Sequence, residues 1–269
     1  MYRTVSLILA LVTFPSGAIA QVTLNPFFQF GDGFVSNLNT NLGQSVAIDA
    51  GSDLVAMSGV DEAYLYNTAT SDVVELLLPA HLEFQRFKDS IDIDNGVTVV
   101  GSEGVQDAAL AYASDGQLIN VIQTFGAPVG FGGSVAIEGD TVVIGSPAEN
   151  SLAGRVYVGE LNPPFPTSFM PPIGDGFATP GDGLGFSVGI DDGVIIAGAP
   201  RIGPPSPTLP NDPAAAYILR AQGPLSLGPQ FATEVNRYGD SVAISGNLAI
   251  VGAPSFENSS GDTIGGAFV

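Results

Sequence analysis

A single pattern is written five times along this chain of 269 residues, and few architectures accommodate it. Aligned on a serine, the copies read LGQSVAIDAGSDLVAMSGV (42–60), FKDSIDIDNGVTVVGSE (87–103), FGGSVAIEGDTVVIGSP (131–147), LGFSVGIDDGVIIAGAP (184–200) and YGDSVAISGNLAIVGAP (238–254). The serines are Ser45, Ser90, Ser134, Ser187 and Ser241, spaced by 45, 44, 53 and 54 residues. A period of that length is the signature of solenoids and propellers.

Each copy reads as a β-hairpin. The first run alternates, as in Ser134-Val135-Ala136-Ile137, so that one face packs while the other looks elsewhere. A two-residue turn follows at a fixed offset: Asn95-Gly96, Gly139-Asp140, Asp192-Gly193 and Gly246-Asn247. These pairs tolerate the positive φ that tight hairpins require. The second run, such as Val142-Val143-Ile144 or Ile195-Ile196-Ala197, is continuously apolar, as expected of a strand covered on both faces. In the last three copies it ends in Gly-Ser/Ala-Pro. There glycine allows close backbone approach, and proline has no N–H to extend a ladder. Valine at Gly198 or Gly252 is therefore expected to damage folding.

A third short run centres on an aromatic residue in every copy: Tyr64, Tyr112, Tyr157, Tyr217 and Phe268. A looser stretch with strand character follows some of them, as in Val73–Leu77 and Leu118–Ile122. Three or four antiparallel strands per unit, with the connection absorbing the variation in length, describes a propeller blade. No helical spacing separates the strands, which argues against α/β alternatives. The expected fold is all-β: a β-propeller with repeats beginning near 42, 87, 131, 184 and 238.

The paired marks Phe131-Gly132 and Gly198-Ala199-Pro200, or Tyr238-Gly239 and Gly252-Ala253-Pro254, resemble the FG-GAP repeat of integrin α-subunit propellers and their bacterial extracellular relatives. The resemblance runs through nearly all of 21–269. Copies three to five match well. Copy two has Lys88 for the glycine and Glu103 for the proline, and copy one has Ser58-Gly59-Val60 where Gly-Ala-Pro should stand. The resemblance implies an interaction module and no catalysis. It does not carry over the family's calcium loop, Asp-x-Asp-x-Asp-Gly-x-x-Asp. Four copies replace that loop by a two-residue turn, too short to surround a cation that takes six or more oxygens. Asp92 and Asp94 share one face of a strand, and the longer turn Asp49-Ala50-Gly51-Ser52-Asp53 offers only two carboxylates. No metal or other cofactor is expected.

The first twenty residues have the anatomy of a secretory signal: Arg3, an apolar stretch from Val5 to Phe14, and Ala18-Ile19-Ala20 before Gln21. The expected product is 21–269, secreted or at the cell surface, with no membrane span after cleavage. Export permits disulfides, yet the chain has no cysteine, so stability must come from packing and backbone pairing. With 27 acidic against 7 basic residues the net charge is −20, which disfavours nucleic acid and anionic membranes as partners. Five copies imply five blades. Two explanations fit the five copies: an N-terminal strand from Pro26–Phe34, which resembles Phe169–Phe177 ahead of copy four, closes the last blade, or further blades follow Val269.

Residues suited to catalysis are few. His81 is the only histidine, so a Ser-His-Asp triad would have to use it. The five serines recur with the repeat, and repetition marks a structural role, since catalysis needs its residue once. A five-bladed glycosidase would need two carboxyl groups flanking one bond. Asp89, Glu138, Asp191 and Asp240 are candidates, but nothing pairs two of them. The absence of tryptophan, a common platform for sugar rings, weakens that alternative further. The Gly-Asp-Gly stretches at 31–33, 174–176 and 181–183 read as turns, and Asn258-Ser259-Ser260 fits a glycosylation sequon. The proline-rich connections 162–172 and 204–213 are the expected recognition loops. The sequence thus points to a non-enzymatic module binding a protein or glycan, with a carbohydrate-active hydrolase and a structural surface component as the alternatives.

Overall fold

The computed structural model describes residues 42–59, 61–80, 86–103, 107–124, 129–161, 173, 178–203, 214–220, 223–228, 237–256, 260 and 262–269. The expected signal sequence, Pro26–Phe34, His81, the two proline-rich connections, the first two Gly-Asp-Gly stretches and most of the sequon lie outside them.

Five antiparallel sheets follow one another along the chain. Blade 1 holds β1 (Ser45–Asp49), β2 (Leu54–Ser58), β3 (Ala63–Asn67) and β4 (Val73–Glu75). Blade 2 holds β5 (Arg86–Asp94), β6 (Val97–Glu103), β7 (Ala108–Tyr112) and β8 (Leu118–Ile122). Blade 3 holds β9 (Ser134–Glu138), β10 (Thr141–Ser146) and β11 (Arg155–Glu160); a further bridge pairs Val156 with Ile173. Blade 4 holds β12 (Ser187–Asp191), β13 (Val194–Ala199), β14 (Ala215–Leu219) and β15 (Leu225–Leu227). Blade 5 holds β16 (Ser241–Ser245), β17 (Leu248–Ala253) and β18 (Gly266–Phe268). Strand order within each sheet follows chain order, so every blade is a meander. The first strands β1, β5, β9, β12 and β16 lie side by side in succession. This is the blade arrangement of a β-propeller.

The turns behave as their residues require. Asn95-Gly96 and Asp192-Gly193 have both residues at positive φ (49° and 75°, 49° and 69°), the type I′ pattern. Gly139 (56°) and Gly246 (55°) carry positive φ at the first central position alone, the type II′ pattern. In blades 3 to 5 the turn fixes a hairpin register in which the repeated serine faces the residue at the glycine position, Ser134 with Gly145, Ser187 with Gly198 and Ser241 with Gly252, whereas in blade 2 a register shift between Phe87 and Ile91 interrupts it. In blade 1 the same pairing joins Ser45 to Ser58. Serine thus occupies the glycine position there, and in the next blade lysine (Lys88) replaces the other motif glycine.

The core is a series of sandwiches between neighbouring blades. Leu54, Ala56 and Leu65 of blade 1 pack on Ile91, Ile93, Val100 and Leu110 of blade 2. The opposite face of blade 2, with Val99, Ala109 and Ala111, packs on Val135, Ile137, Val142 and Ile144 of blade 3. Ala136, Val143 and Val158 face Ile195 and Ala197 of blade 4, and Ile196, Ala216 and Ile218 face Val251 and Ala253 of blade 5. Each interior blade is therefore apolar on both faces, which explains its continuous apolar second strand. The motif aromatics join this core: Phe131 meets Tyr157 edge-on at 5.2 Å, and Tyr238 lies 5.3 Å from Phe268.

Blade 5 departs from the expectation of a second strand covered on both faces. Leu248 and Ile250 of β17 are exposed, as are Val46 and Ile48 of β1 at the other end. No blade follows the one or precedes the other among the described residues.

Candidate functional site

The seams between blades account for most of the polar residues that the sequence singles out. At three seams a glycine of one blade meets a glycine of the next. A Cβ on Gly101 would stand 2.1 Å from the Gly132 carbonyl oxygen. On Gly145 it would stand 1.9 Å from that of Gly185, and on Gly198 2.0 Å from that of Gly239. Those distances are inside van der Waals contact, so any side chain is excluded. The second glycine of each pair has positive φ (76°, 84° and 93°) and abuts a third-strand carbonyl of the preceding blade, as Gly239 abuts Ala215. The two halves of the FG-GAP mark are thus one contact, made across a seam.

The repeated serines add to it. Ser134 Oγ donates to the Gly185 carbonyl (2.8 Å) and Ser187 Oγ to that of Gly239 (2.9 Å). Blade 2 uses a different device. Lys88 Nζ donates to the Phe131 carbonyl at 2.8 Å and lies 3.3 Å from Asp107. Burial pulls the Lys88 ammonium below its usual range, and Asp107 opposes that shift. Ser90 Oγ is buried without a partner, as is Ser58 Oγ.

A ladder of carboxylates links the turns. The acid that ends the first strand of blades 1 to 4 accepts hydrogen bonds from backbone N–H groups of the next blade's turn. Gly96 N–H donates to Asp49 (2.9 Å), Gly139 to Asp94 (2.6 Å), Asp192 and Gly193 to Glu138 (2.6 and 2.8 Å), and Gly246 to Asp191 (2.5 Å). Asp92 also reaches blade 3, accepting from Ile137 N–H at 2.9 Å. Asp49 accepts in addition from Gly51 N–H and the Ser52 hydroxyl. The Ser52 hydrogen bond holds the Asp49 carboxyl below its ordinary value, whereas burial raises that of Asp92. Sequence reasoning missed that these acids reach out of their own blade. Their spacing, one in each of the first four repeats at the same offset, was the available signal.

The hydrolase candidates are dispersed. Glu138 and Asp191 belong to this ladder. Asp240 is held by the Arg237 guanidinium, whose Nε donates to it at 2.8 Å. Asp89 borders a recess of about 240 Å³ with Phe87, Lys88, Glu103 and Gly133. Asp182, from the third Gly-Asp-Gly stretch, accepts from Thr179 N–H (2.6 Å) and hydroxyl, and faces Arg201 at 3.7 Å. That is a turn held by its own carboxylate. Among the described residues no three acidic or histidine side chains gather as a metal ion would need.

The structure adds a groove that sequence reasoning did not find. It lies at the seam of blades 1 and 2, about 410 Å³ in volume, and Ser52, Asn67, Thr70, Asp72, Asn95 and Ser114 give it its polar lining. Leu54, Leu65 and Val74 form its apolar floor. Two features open it: the four-residue turn Ala50–Asp53, longer than its counterparts, and the β3–β4 turn. The latter is braced by Asn67 Oδ1, which accepts from the N–H groups of Ala69 and Thr70, both at 2.9 Å. Hydroxyls, amides and one carboxylate over an apolar floor form a surface for a neutral polar ligand.

Comparison with known proteins agrees with this architecture. The family model described as FG-GAP repeat matches residues 127–159, the third copy. Among solved structures, a β-propeller-type chain in the "Crystal Structure of Mitotic Checkpoint Complex" is similar to this one, with a TM-score of 0.54 and 14% identity. The match covers 78% of this chain and 57% of that one, and it is a likeness of fold. No curated protein matches the sequence. The comparisons thus bear out the repeat and the propeller fold.

Proposed function

We propose that the protein is an exported, non-enzymatic module that binds a protein or glycan outside the cell or at its surface, and that the groove between blades 1 and 2 is its contact site. The observation that carries this reading is the division of labour among polar groups. At the seams, Asp49, Asp94, Glu138 and Asp191 serve the fold. The groove instead offers the hydroxyls and amides of Thr70, Asn95 and Ser114 on a rigid frame. Recognition on loops held by a rigid scaffold is the common use of such folds. A net charge of −20 turns away polyanions, leaving neutral glycans and neutral or basic protein surfaces as ligands. Among the described residues no helix is long and apolar enough to cross a membrane.

The test is to screen the purified protein against panels of neutral oligosaccharides and extracellular proteins, then repeat each positive with Ser114→Tyr, which fills the groove. Loss of at least about ten-fold in affinity, a change of about 1.4 kcal/mol, supports the site. Unchanged affinity moves recognition elsewhere, and cleavage of any oligosaccharide overturns the non-enzymatic reading.

A further inference from the structure

The groove between blades 1 and 2 is set apart by how its hydrogen bonds are already spent. Ser52 gives its hydroxyl proton to Asp49, and Asn95 gives an amide proton to Asp94 at 3.0 Å. Ser52 therefore keeps only the lone pairs of its oxygen, and the Asn95 Oδ1 stays open as an acceptor.

Asp72 adds the one carboxylate of the lining. Its backbone is pinned on both sides: its N–H donates to Thr70 Oγ1 at 3.3 Å, and its carbonyl accepts from Asn67 N–H at 2.9 Å. Its carboxylate takes no hydrogen bond and no ion pair among the described residues. Asp49, Asp94, Glu138 and Asp191 differ in this, since each is bound to a turn.

No cation of the surrounding blades is placed to answer it. Between positions 42 and 124 the only lysine or arginine residues are Arg86 and Lys88. Both stand at the start of β5, whereas the groove lies beyond its far end, at Asn95-Gly96. Both are also engaged, Arg86 with Asp61 at 3.6 Å and Lys88 with Asp107 at 3.3 Å.

A neutral ligand satisfies the hydroxyls and amides but covers the Asp72 carboxylate with neutral donors alone. A cationic donor forms the stronger, charge-assisted bond there. The floor of Leu54, Leu65 and Val74 calls for an aliphatic portion beside that charge. Lysine and arginine side chains join the two, an apolar stem carrying a cationic head.

We infer that the groove receives a lysine or arginine side chain from a protein partner. Its stem lies on Leu54, Leu65 and Val74, and its head meets Asp72, with Asn95 Oδ1 and Ser52 Oγ as further acceptors. This rests on the groove being the contact site, and it narrows the ligand from a protein or glycan to a basic protein segment.

Nuclear magnetic resonance titration of the full chain tests it, using blocked pentapeptides that differ only in a central lysine, arginine or norleucine. The lysine or arginine peptide should shift the Ser52, Thr70 and Gly96 amides and bind at least about ten-fold more tightly than the norleucine peptide. Asp72→Asn should abolish that preference without changing norleucine binding. Asp61→Asn, which removes the same charge at the opposite end of blade 1, should leave the preference intact. Equal binding of all three peptides overturns the inference, as do groove amides that respond to none. Equal weakening by the two asparagine variants also overturns it, because it reports attraction to net charge alone. A neutral oligosaccharide that fills the groove equally well with Asp72→Asn makes the ligand a glycan. Binding lost in Ser114→Tyr but indifferent to Asp72→Asn keeps the groove and removes the cation, whereas binding unchanged in Ser114→Tyr removes the groove as well.

Discussion

The interior seams and the two end faces are built from the same residue types in the same register, yet they differ in everything that packing supplies. Gly198 and Gly252 both oppose a motif serine in their hairpins. Across the seam, however, Gly198 meets the Gly239 carbonyl, while among the described residues no carbonyl of another blade approaches Gly252 as closely. The same contrast separates Ile196 from Ile250. A repeat motif is therefore half of a contact, and its energetic weight depends on whether the other half is present.

The largest effect that can break this comparison comes from the glycines. Gly198→Val places a Cβ within 2.0 Å of backbone that has nowhere to go, so a loss of about 3 kcal/mol or more is expected. In Gly252→Val the nearest obstacle, at 2.3 Å, is the Ser241 hydroxyl, a side chain free to rotate, and the loss stays within about 1 kcal/mol. The sequence alone predicts damage at both sites. Chemical denaturation of the two variants decides, and equal losses would mean that Gly252 is already covered.

A smaller effect separates the isoleucines. Ile196→Ala leaves a cavity in a closed sandwich and is expected to cost about 2–5 kcal/mol. Ile250→Ala removes a side chain that is 43% exposed, and the cost should be under about 1 kcal/mol. Denaturant titration of this pair decides, and equal costs would mean that Ile250 is already covered.

The smallest effect contrasts two acids of the carboxylate ladder. Asp49 titrates below the ordinary value of 3.8 because the Ser52 hydroxyl donates to it, and Asp92 above it because burial disfavours its charge. Asp49 therefore contributes stability above pH 3.8 that is lost as pH falls through its lowered midpoint. Asp92 acts in the opposite sense. Its contribution is fullest below pH 3.8 and declines as pH rises through its raised midpoint. Carboxyl NMR titration should show the two midpoints on opposite sides of 3.8. Coincident midpoints would remove the distinction between the first seam and the second.

Much of the fold was legible because its signals are local. Asn95-Gly96 and Gly139-Asp140 specify tight hairpin turns through the φ values they tolerate, and alternation in Ser134–Glu138 specifies a strand with two unlike faces. The departures in copies one and two were also visible as letters, Ser58 and Lys88. That Lys88 reaches the Phe131 carbonyl was not, since that residue comes near only when blades stack. The candidate groove was illegible for the same reason. Ser52, Asn67, Asn95 and Ser114 come from four separate turns, and no spacing in the chain announces that they share one recess.

By itself, then, the sequence determined the repeat unit, its strands, its turns and the glycines that let backbones touch. Backbone stereochemistry and hydrophobic periodicity act over a few residues, and each copy states them in full. Tertiary structure alone decided which glycine is pressed against a carbonyl, which carboxylate crosses to the next turn, and which apolar faces remain uncovered. Those outcomes depend on the neighbour a blade meets, and identical letters in copies four and five meet different neighbours.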